Sequence, residues 1–501
     1  MIVPALILVP LCAGLLAFWW RADGPRRALL VLTALVHAGL TAAAWVEWSE
    51  NLHSSAPIAI LPGTWVALDA TGLLFLSTVS ALFLGCAIYS VGYLGREKQR
   101  HHIDYEEHLF FSNEPEPVFT GCMLLFLASM TLVCVSQHFG LLWVGVEATT
   151  LASAPLIYFH RQHRSLEATW KYLLICSVGI ALALLGNFVL AVAASDPHGQ
   201  NTGLDVADLV TNAAKLHAPW LKAAFLFFLV GYGTKMGLAP MHTWLPDAHS
   251  ESPSVVSALL SGALLNCAFL GILRAHQVCV AAGVEDFSQD LLRVFGLGSM
   301  AIAAVFILGQ VDFKRMLAYS SVEHMGILAL GVGLGGRGAF GAGLHAMNHS
   351  LTKACLFLVA GNILAAYETK VAKDVHGVRR LLPLSGILWI GGFMSITGAP
   401  PFGTFLSEFT ILKAALDQGR PIVAMLYLAL LALIFIGMAN IVLPMAQGDP
   451  SAALHKPPRR ESLLSTLPPA VFCLAVLAIG IYLPPTMTAV LEQASLALGG
   501  N

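Results

Sequence analysis

GYGTKMGLAPMHTWLPDAHSESP, residues Gly231 to Pro253, sets a lysine beside a helix break inside an apolar run. Lys235 belongs to an apolar helix that begins near Pro219, and Pro240 is expected to break it. A polar, proline-punctuated turn follows before the next apolar run opens at Ser254. In lipid every unpaired backbone group is costly, so non-helical backbone persists at depth only when buried in protein or lining a hydrated cavity. A charge at that depth costs roughly 2.5–3.5 kcal/mol and marks a functional site by default. Lys235 is therefore a candidate ion-handling group, and the rest of the chain supplies its scaffold and partners.

The bulk composition supports a bilayer setting. Of 501 residues 57% are hydrophobic and 11% charged, with mean hydropathy +0.75, against about 25% charged in soluble domains. A net charge of −2 gives no basis for a nucleic-acid partner and argues against a polybasic membrane-surface binder. The nine cysteines are scattered through apolar runs without CxxC or Cys/His ligand spacing, which disfavours iron–sulfur, zinc and disulfide chemistry. The run Ile2–Trp20 has the length of a signal peptide but no basic start or small-residue cleavage site, so a retained span is expected.

Apolar runs of about 20 residues fall near 2–20, 28–48, 70–95, 117–136, 139–159, 166–194, 219–240, 253–275, 291–311, 315–334, 339–366, 382–417, 421–446 and 463–483. The expected architecture is an all-α polytopic membrane protein of about fourteen spans. None of the runs alternates as membrane-barrel strands do, and no soluble region is large enough to house redox chemistry. Ala399-Pro400-Pro401 splits the twelfth span as Gly237-Leu238-Ala239-Pro240 splits the seventh. Such paired interruptions point to a transport site at the midplane. They organise the chain into spans 1–3 (residues 1–116), two inverted five-helix repeats (117–276 and 290–446) and a final span (463–483).

Seventeen of the 27 Lys and Arg residues fall in odd-numbered loops and seven on the terminal face. The odd loops are thus expected in the cytoplasm and both termini outside. Lys171, Lys235 and Lys353 remain within spans. Snorkelling to the interface suits Lys171, near the start of span six, but not the other two. Glu147 in span five and Glu408 after the second break are the acidic counterparts. A Glu–Lys pair roughly 7 Å apart in an effective dielectric of about 20 interacts by ~2.4 kcal/mol. That is enough to switch a lysine between holding and releasing a proton. His345, His349 and Lys353 recur every four residues on one helical face, a possible proton wire or a set of interhelical hydrogen bonds. The H-x3-H spacing also permits a metal, but no intramembrane carboxylate or cysteine obviously completes a site. His324 is a further relay candidate, beside Glu323, and the loop carrying His101, His102, Asp104, Glu106, Glu107 and His108 is expected to be a solvated face.

KMGLAPMHTWLPDAHSESPS, DFKRMLAYSSVEHMG and ITGAPPFGTFLSEF resemble the proton-translocating antiporter-like subunits of complex I, group 4 [NiFe] hydrogenases and Mrp antiporters. VEATTLASAPLIYFHR and VSALLSGALLN are most similar to the F component of hydrogenase 4. The resemblance implies fourteen helices with two inverted repeats, and no cofactor in this chain. It further implies partner subunits bearing flavin, Fe–S or [NiFe] centres. By position it makes Glu147 and Lys235 a coupled pair, gives Lys171 a family counterpart, and sets His345 and His349 at histidine positions. Lys353 matches the lysine of the second repeat's broken helix, and Glu408 matches a terminal glutamate. The chain departs from the family in span eight, where Ser261 and Asn266 stand at positions that carry histidine or lysine in many members. With little sequence after span fourteen, the long lateral helix of L-type subunits is not expected here.

Three functions follow as expectations. The first is a non-redox, proton-conducting subunit of a redox-driven oxidoreductase in a bacterial-type inner membrane. The second is a Na+/H+ antiporter subunit, and the third a membrane anchor for a soluble enzyme.

Overall fold

The computed structural model describes residues 2–50, 58–59, 65–97, 102–103, 109–195, 203–449 and 461–499. The side chains of the polar loop from His101 to His108 lie outside the described residues. The chain opens with α1 (Ile2–Trp19), α2 (Asp23–Glu50) and α3 (Ala70–Arg96). Next come α4 (Glu116–Val135), α5 (Phe139–Ile157), α6 (His163–Ala193), α7 (Val206–Thr211), α8 (Ala218–Met236) and α9 (Trp244–Glu251). Then α10 (Ser254–Leu259) runs through a π-helical turn (Leu260–Leu264) into α11 (Leu265–Ala281). The second half holds α12 (Glu285–Ile307), α13 (Phe313–Leu334), α14 (Arg337–Tyr367), α15 (Val378–Leu381), α16 (Pro383–Ile396), α17 (Gly403–Asp417) and α18 (Pro421–Ala446). It is followed by α19 (Leu463–Ile481) and α20 (Pro485–Leu496). Strand structure among the described residues is confined to two antiparallel ladders, Ile58–Ala59 with Ala67–Leu68 and His102–Ile103 with Phe110–Phe111.

Among the described residues, twelve helices are long and apolar enough to cross a membrane, the continuous run Ser254–Ala281 counting as one. The two remaining expected spans are the interrupted ones, α8 with α9 and α16 with α17. The interruptions are built alike. Gly237 adopts φ +85° and Gly398 φ +65°, left-handed conformations that end a helix without a Cβ penalty. At the first, Leu238 N–H bonds Gly233 O and Gly237 N–H bonds Thr234 O. At the second, Ala399 N–H bonds Met394 O and Gly398 N–H bonds Ser395 O. Each break also contains a cis peptide, Ala239-Pro240 or Pro400-Pro401. The sequence reading is corrected in two details: α8 already stops at Met236, four residues before Pro240, and the expected turn contains the short helix α9.

Neighbour relations repeat between the halves. Helix α4 packs on α5, α5 on α6, α6 on α8 and α9, and α11 returns against α4, α5 and α8. Correspondingly α12 packs on α13, α13 on α14, α14 on α16 and α17, and α18 returns against α12, α13 and α16. The halves join where α13 meets α9 and where α14 meets α10 and the π turn.

Candidate functional site

Lys235 sits in the last turn of α8, fully buried. Its Nζ donates to Thr150 Oγ1 at 2.6 Å and to the Tyr172 hydroxyl at 2.7 Å, and lies 4.6 Å from the Tyr172 ring centre. Thr150 in turn donates to Glu147 Oε2 at 3.3 Å. The expected Glu–Lys pair is therefore bridged by a hydroxyl that accepts from the ammonium and donates to the carboxylate. Ser177 donates to the other Glu147 oxygen at 3.3 Å. Glu147 is half-buried, on the side of α5 that also exposes Val144 and Leu151.

The second half is drier and richer in histidine. His324, His345, His349, Lys353 and Glu408 are all buried. His345 Nδ1 lies 2.9 Å from Ser407 Oγ, whose proton goes to Thr404 O, so His345 donates there. That leaves His345 Nε2 to accept from His324 Nδ1 at 2.8 Å. His324 Nε2 then faces Glu323 Oε2 at 3.8 Å. The His349 ring is centred 5.0 Å from that of His324, and neither of its nitrogens has a hydrogen-bond partner among the described residues. One ligand atom each of His324, His345 and Glu408 lies within 4.8 Å of the others. Glu408, delivered by the second helix break, is thus the carboxylate beside the histidines, but it joins His345 with His324 rather than with His349 of the H-x3-H spacing. Gly398 makes room for it: a Cβ there would lie 2.0 Å from Glu408 Oε2.

Lys353 Nζ donates to Leu317 O at 2.7 Å. That carbonyl also accepts from Ser321, whose hydroxyl is 2.7 Å from Ser261 Oγ in the π turn. Asn266 Nδ2 reaches Ser350 Oγ at 2.7 Å. Ser261 and Asn266 therefore tie the middle of the molecule to α13 and α14 by neutral hydrogen bonds. The expectation for Lys353 is corrected: it stands on the continuous helix α14, whereas the broken helix of this half contributes Glu408.

Lys171 stands apart from the buried groups. Its side chain is 45% exposed and pairs with Glu167 at 2.7 Å and Asp247 at 2.9 Å, and Arg315 shares Asp247. The set of three intramembrane lysines is accordingly revised, for Lys314 is buried while Lys171 is not. Lys314 Nζ donates to the carbonyls of Ser250 and Ser252 at the end of α9. Its place in DFKR, at a loop-to-helix junction, disguised it as a loop cation. His249, the histidine of WLPDAH, was also missed. It is buried, stacks on Phe357 with ring centres 5.0 Å apart, and has both nitrogens unpaired among the described residues. Glu323, weighed only as the neighbour of His324, is buried and accepts from Ser320 Oγ at 3.4 Å.

Residues 136–448 match the family model described as NADH:quinone oxidoreductase/Mrp antiporter, TM. The chain is 34% identical over 441 residues to a hydrogenase-4 component F homolog from Methylacidiphilum infernorum, covering 87% of this chain and 89% of that protein. It is 27% identical over 461 residues to a Na(+)/H(+) antiporter subunit A1 of Staphylococcus haemolyticus, covering 86% of this chain but 54% of the relative. Its fold superposes on a chain of respiratory complex I from Thermus thermophilus with TM-score 0.80 and 22% identity, over the full length of both. A multi-pass helical bundle with paired broken helices and a match over most of its length identify the chain as a member of the NADH:quinone oxidoreductase/Mrp antiporter family of membrane subunits.

Proposed function

We propose that the chain is the proton-conducting, non-redox membrane subunit of a redox-driven multisubunit complex, with any flavin, Fe–S or [NiFe] centres on partner subunits. One observation carries this reading: ionisable side chains at corresponding helix breaks stand beside runs of hydroxyls and imidazoles, Thr150 and Tyr172 at Lys235 and His324 and His345 beside Glu408, rather than being shielded singly. Buried charges in membranes mark ion pathways, and side chains within hydrogen-bond reach can pass a proton along them. Protons enter from the cytoplasmic face near Glu147 and Lys235, cross the Ser261–Ser321 and Lys353 region, and leave through His324, His345, His349 and Glu408. Residues 117–276 and 290–446 form two inverted repeats, a division supported by their matching neighbour relations. Lys171, paired with Asp247 at the rim, positions α9 beside the entry. Half-exposed Glu147, among apolar surface residues, fits contact with a neighbouring membrane subunit. The setting is a bacterial-type inner membrane with both termini outside.

The test is proton pumping by the reconstituted complex after Lys235→Ala or Lys353→Ala. Loss of pumping with the complex still assembled is expected, and unchanged pumping in either variant overturns the assignment. The similarity to a Na(+)/H(+) antiporter subunit favours a second reading, sodium–proton exchange. Sodium-dependent proton movement in vesicles without electron flow would select it.

A further inference from the structure

The geometry points to a binding site for a divalent transition metal of the zinc class, formed by His324 on α13, His345 on α14 and Glu408 on α17. Their ligand atoms already lie within 4.8 Å of one another. Zn2+ holds imidazole nitrogen at about 2.0–2.1 Å, so the ligands of a tetrahedral site stand about 3.3 Å apart. Rotamer adjustments of an ångström or so bring the three groups to that separation. The set of two histidines and one carboxylate leaves a fourth position for water, an arrangement that suits zinc, cobalt or nickel better than sodium or magnesium.

Three further features fit a metal rather than a purely apolar packing of these rings. The first is the orientation of His345. Its Nδ1 donates to Ser407 Oγ, which leaves Nε2 directed into the cluster, and a metal-binding histidine is ordinarily fixed by such a bond from its other nitrogen. The second is the position of His324. Metal binding through Nδ1 moves the ring proton to Nε2, which has no hydrogen-bond partner among the described residues and lies 3.8 Å from the Glu323 carboxylate. The third is charge. A divalent ion needs two negative charges to be neutral in a dry site, and Glu408 and Glu323 supply them by losing their protons as the ion binds, with Glu408 Oε1 unpaired among the described residues.

The metal takes the place of the proton shared between His324 Nδ1 and His345 Nε2. Its binding consequently closes the relay, a consequence that rests on the proposed proton path. Binding itself is measured without any proton flux, so the two ideas fail separately.

The full-length chain in lipid nanodiscs, stripped of metal, is titrated with Co2+ and then with Zn2+. One Co2+ per chain with visible d–d absorption, displaced by Zn2+, is expected. His345→Gln and Glu408→Gln each remove a ligand and are expected to weaken binding at least about tenfold, since losing even a group that only orients a ligand costs about that much. His37→Gln and His276→Gln, which alter buried histidines bonded elsewhere, serve as controls with unchanged binding. His345→Cys keeps a ligand at the position and is expected to bind Co2+ with a thiolate charge-transfer band, which guards against a misfolded glutamine variant. Absence of Co2+ absorption in the unaltered chain overturns the site. So does binding that survives His345→Gln, that is lost equally in the controls, or that shows no thiolate band in His345→Cys.

Discussion

The two halves of the molecule hold a buried lysine by opposite means. In the first, Lys235 is surrounded by hydroxyls, and Thr150 connects it to a carboxylate that is half open to the side of the bundle. In the second, Lys353 rests on a backbone carbonyl, and its carboxylates lie deeper, among three histidines. Matching backbone breaks therefore do not imply matching chemistry. The first break places a cation and the second an anion, because Lys235 precedes Gly237 whereas Glu408 follows Gly398 by almost three turns of chain. A hydroxyl relays a proton without ever carrying charge itself, while an imidazole can hold one. The first half is suited to loading a proton from outside the bundle and the second to storing one within it.

This contrast can be broken most directly at the lysines. In the reconstituted complex, Lys235→Ala and Lys353→Ala should each lower proton flux by roughly a hundredfold, the scale of losing a positioned proton-transfer group. Near-complete loss in each would mean one series path, and substantial flux surviving in either would mean a second, independent one. A smaller effect is expected from Gly398→Ala. Left-handed backbone costs a residue with a Cβ about 1–2 kcal/mol, and here the new methyl also displaces the Glu408 carboxylate. Gly237→Ala meets only the end of a flexible leucine, Leu245, so thermal unfolding in detergent should fall further for Gly398→Ala.

Thr150→Val keeps the shape of the side chain and removes the bridge between Lys235 and Glu147. Flux should drop about tenfold, the value of one charge-assisted hydrogen bond, with Thr150→Ser restoring it. No change in Thr150→Val would separate Glu147 from Lys235 functionally. The smallest effect belongs to the rim. Lys171→Met removes a partly exposed ion pair worth about 0–1 kcal/mol, so flux should change by less than about fivefold, with Lys171→Arg closer to the unaltered chain. A collapse of flux in Lys171→Met would move the entry to the Asp247 pairing.

Much of this is legible in the sequence. Hydropathy fixes spans because a lipid-embedded backbone must satisfy its own hydrogen bonds, and that holds whatever a helix packs against. Lys235 and Lys353 could be picked out because each stands far from any loop, and both are buried. Lys314 shows where such reasoning stops. A cation at the first turn of a helix reads as solvated, and only the packing of α9 against α13 buries it against the carbonyls of Ser250 and Ser252. His249 gave no signal at all, since burial of a histidine in a turn is decided by its neighbours.

The amino-acid sequence by itself determined the number of membrane passages, the two interruptions and the residue types available for proton transfer. These depend on local composition and on the refusal of lipid to solvate charge or open backbone. Only the tertiary structure decided which groups touch. It inserted Thr150 between Glu147 and Lys235, set Lys171 at the rim, and carried Glu408 across from the second break to His324 and His345. The reason is geometric: contacts between residues dozens of positions apart depend on how helices cross and rotate, which no spacing within a single helix records.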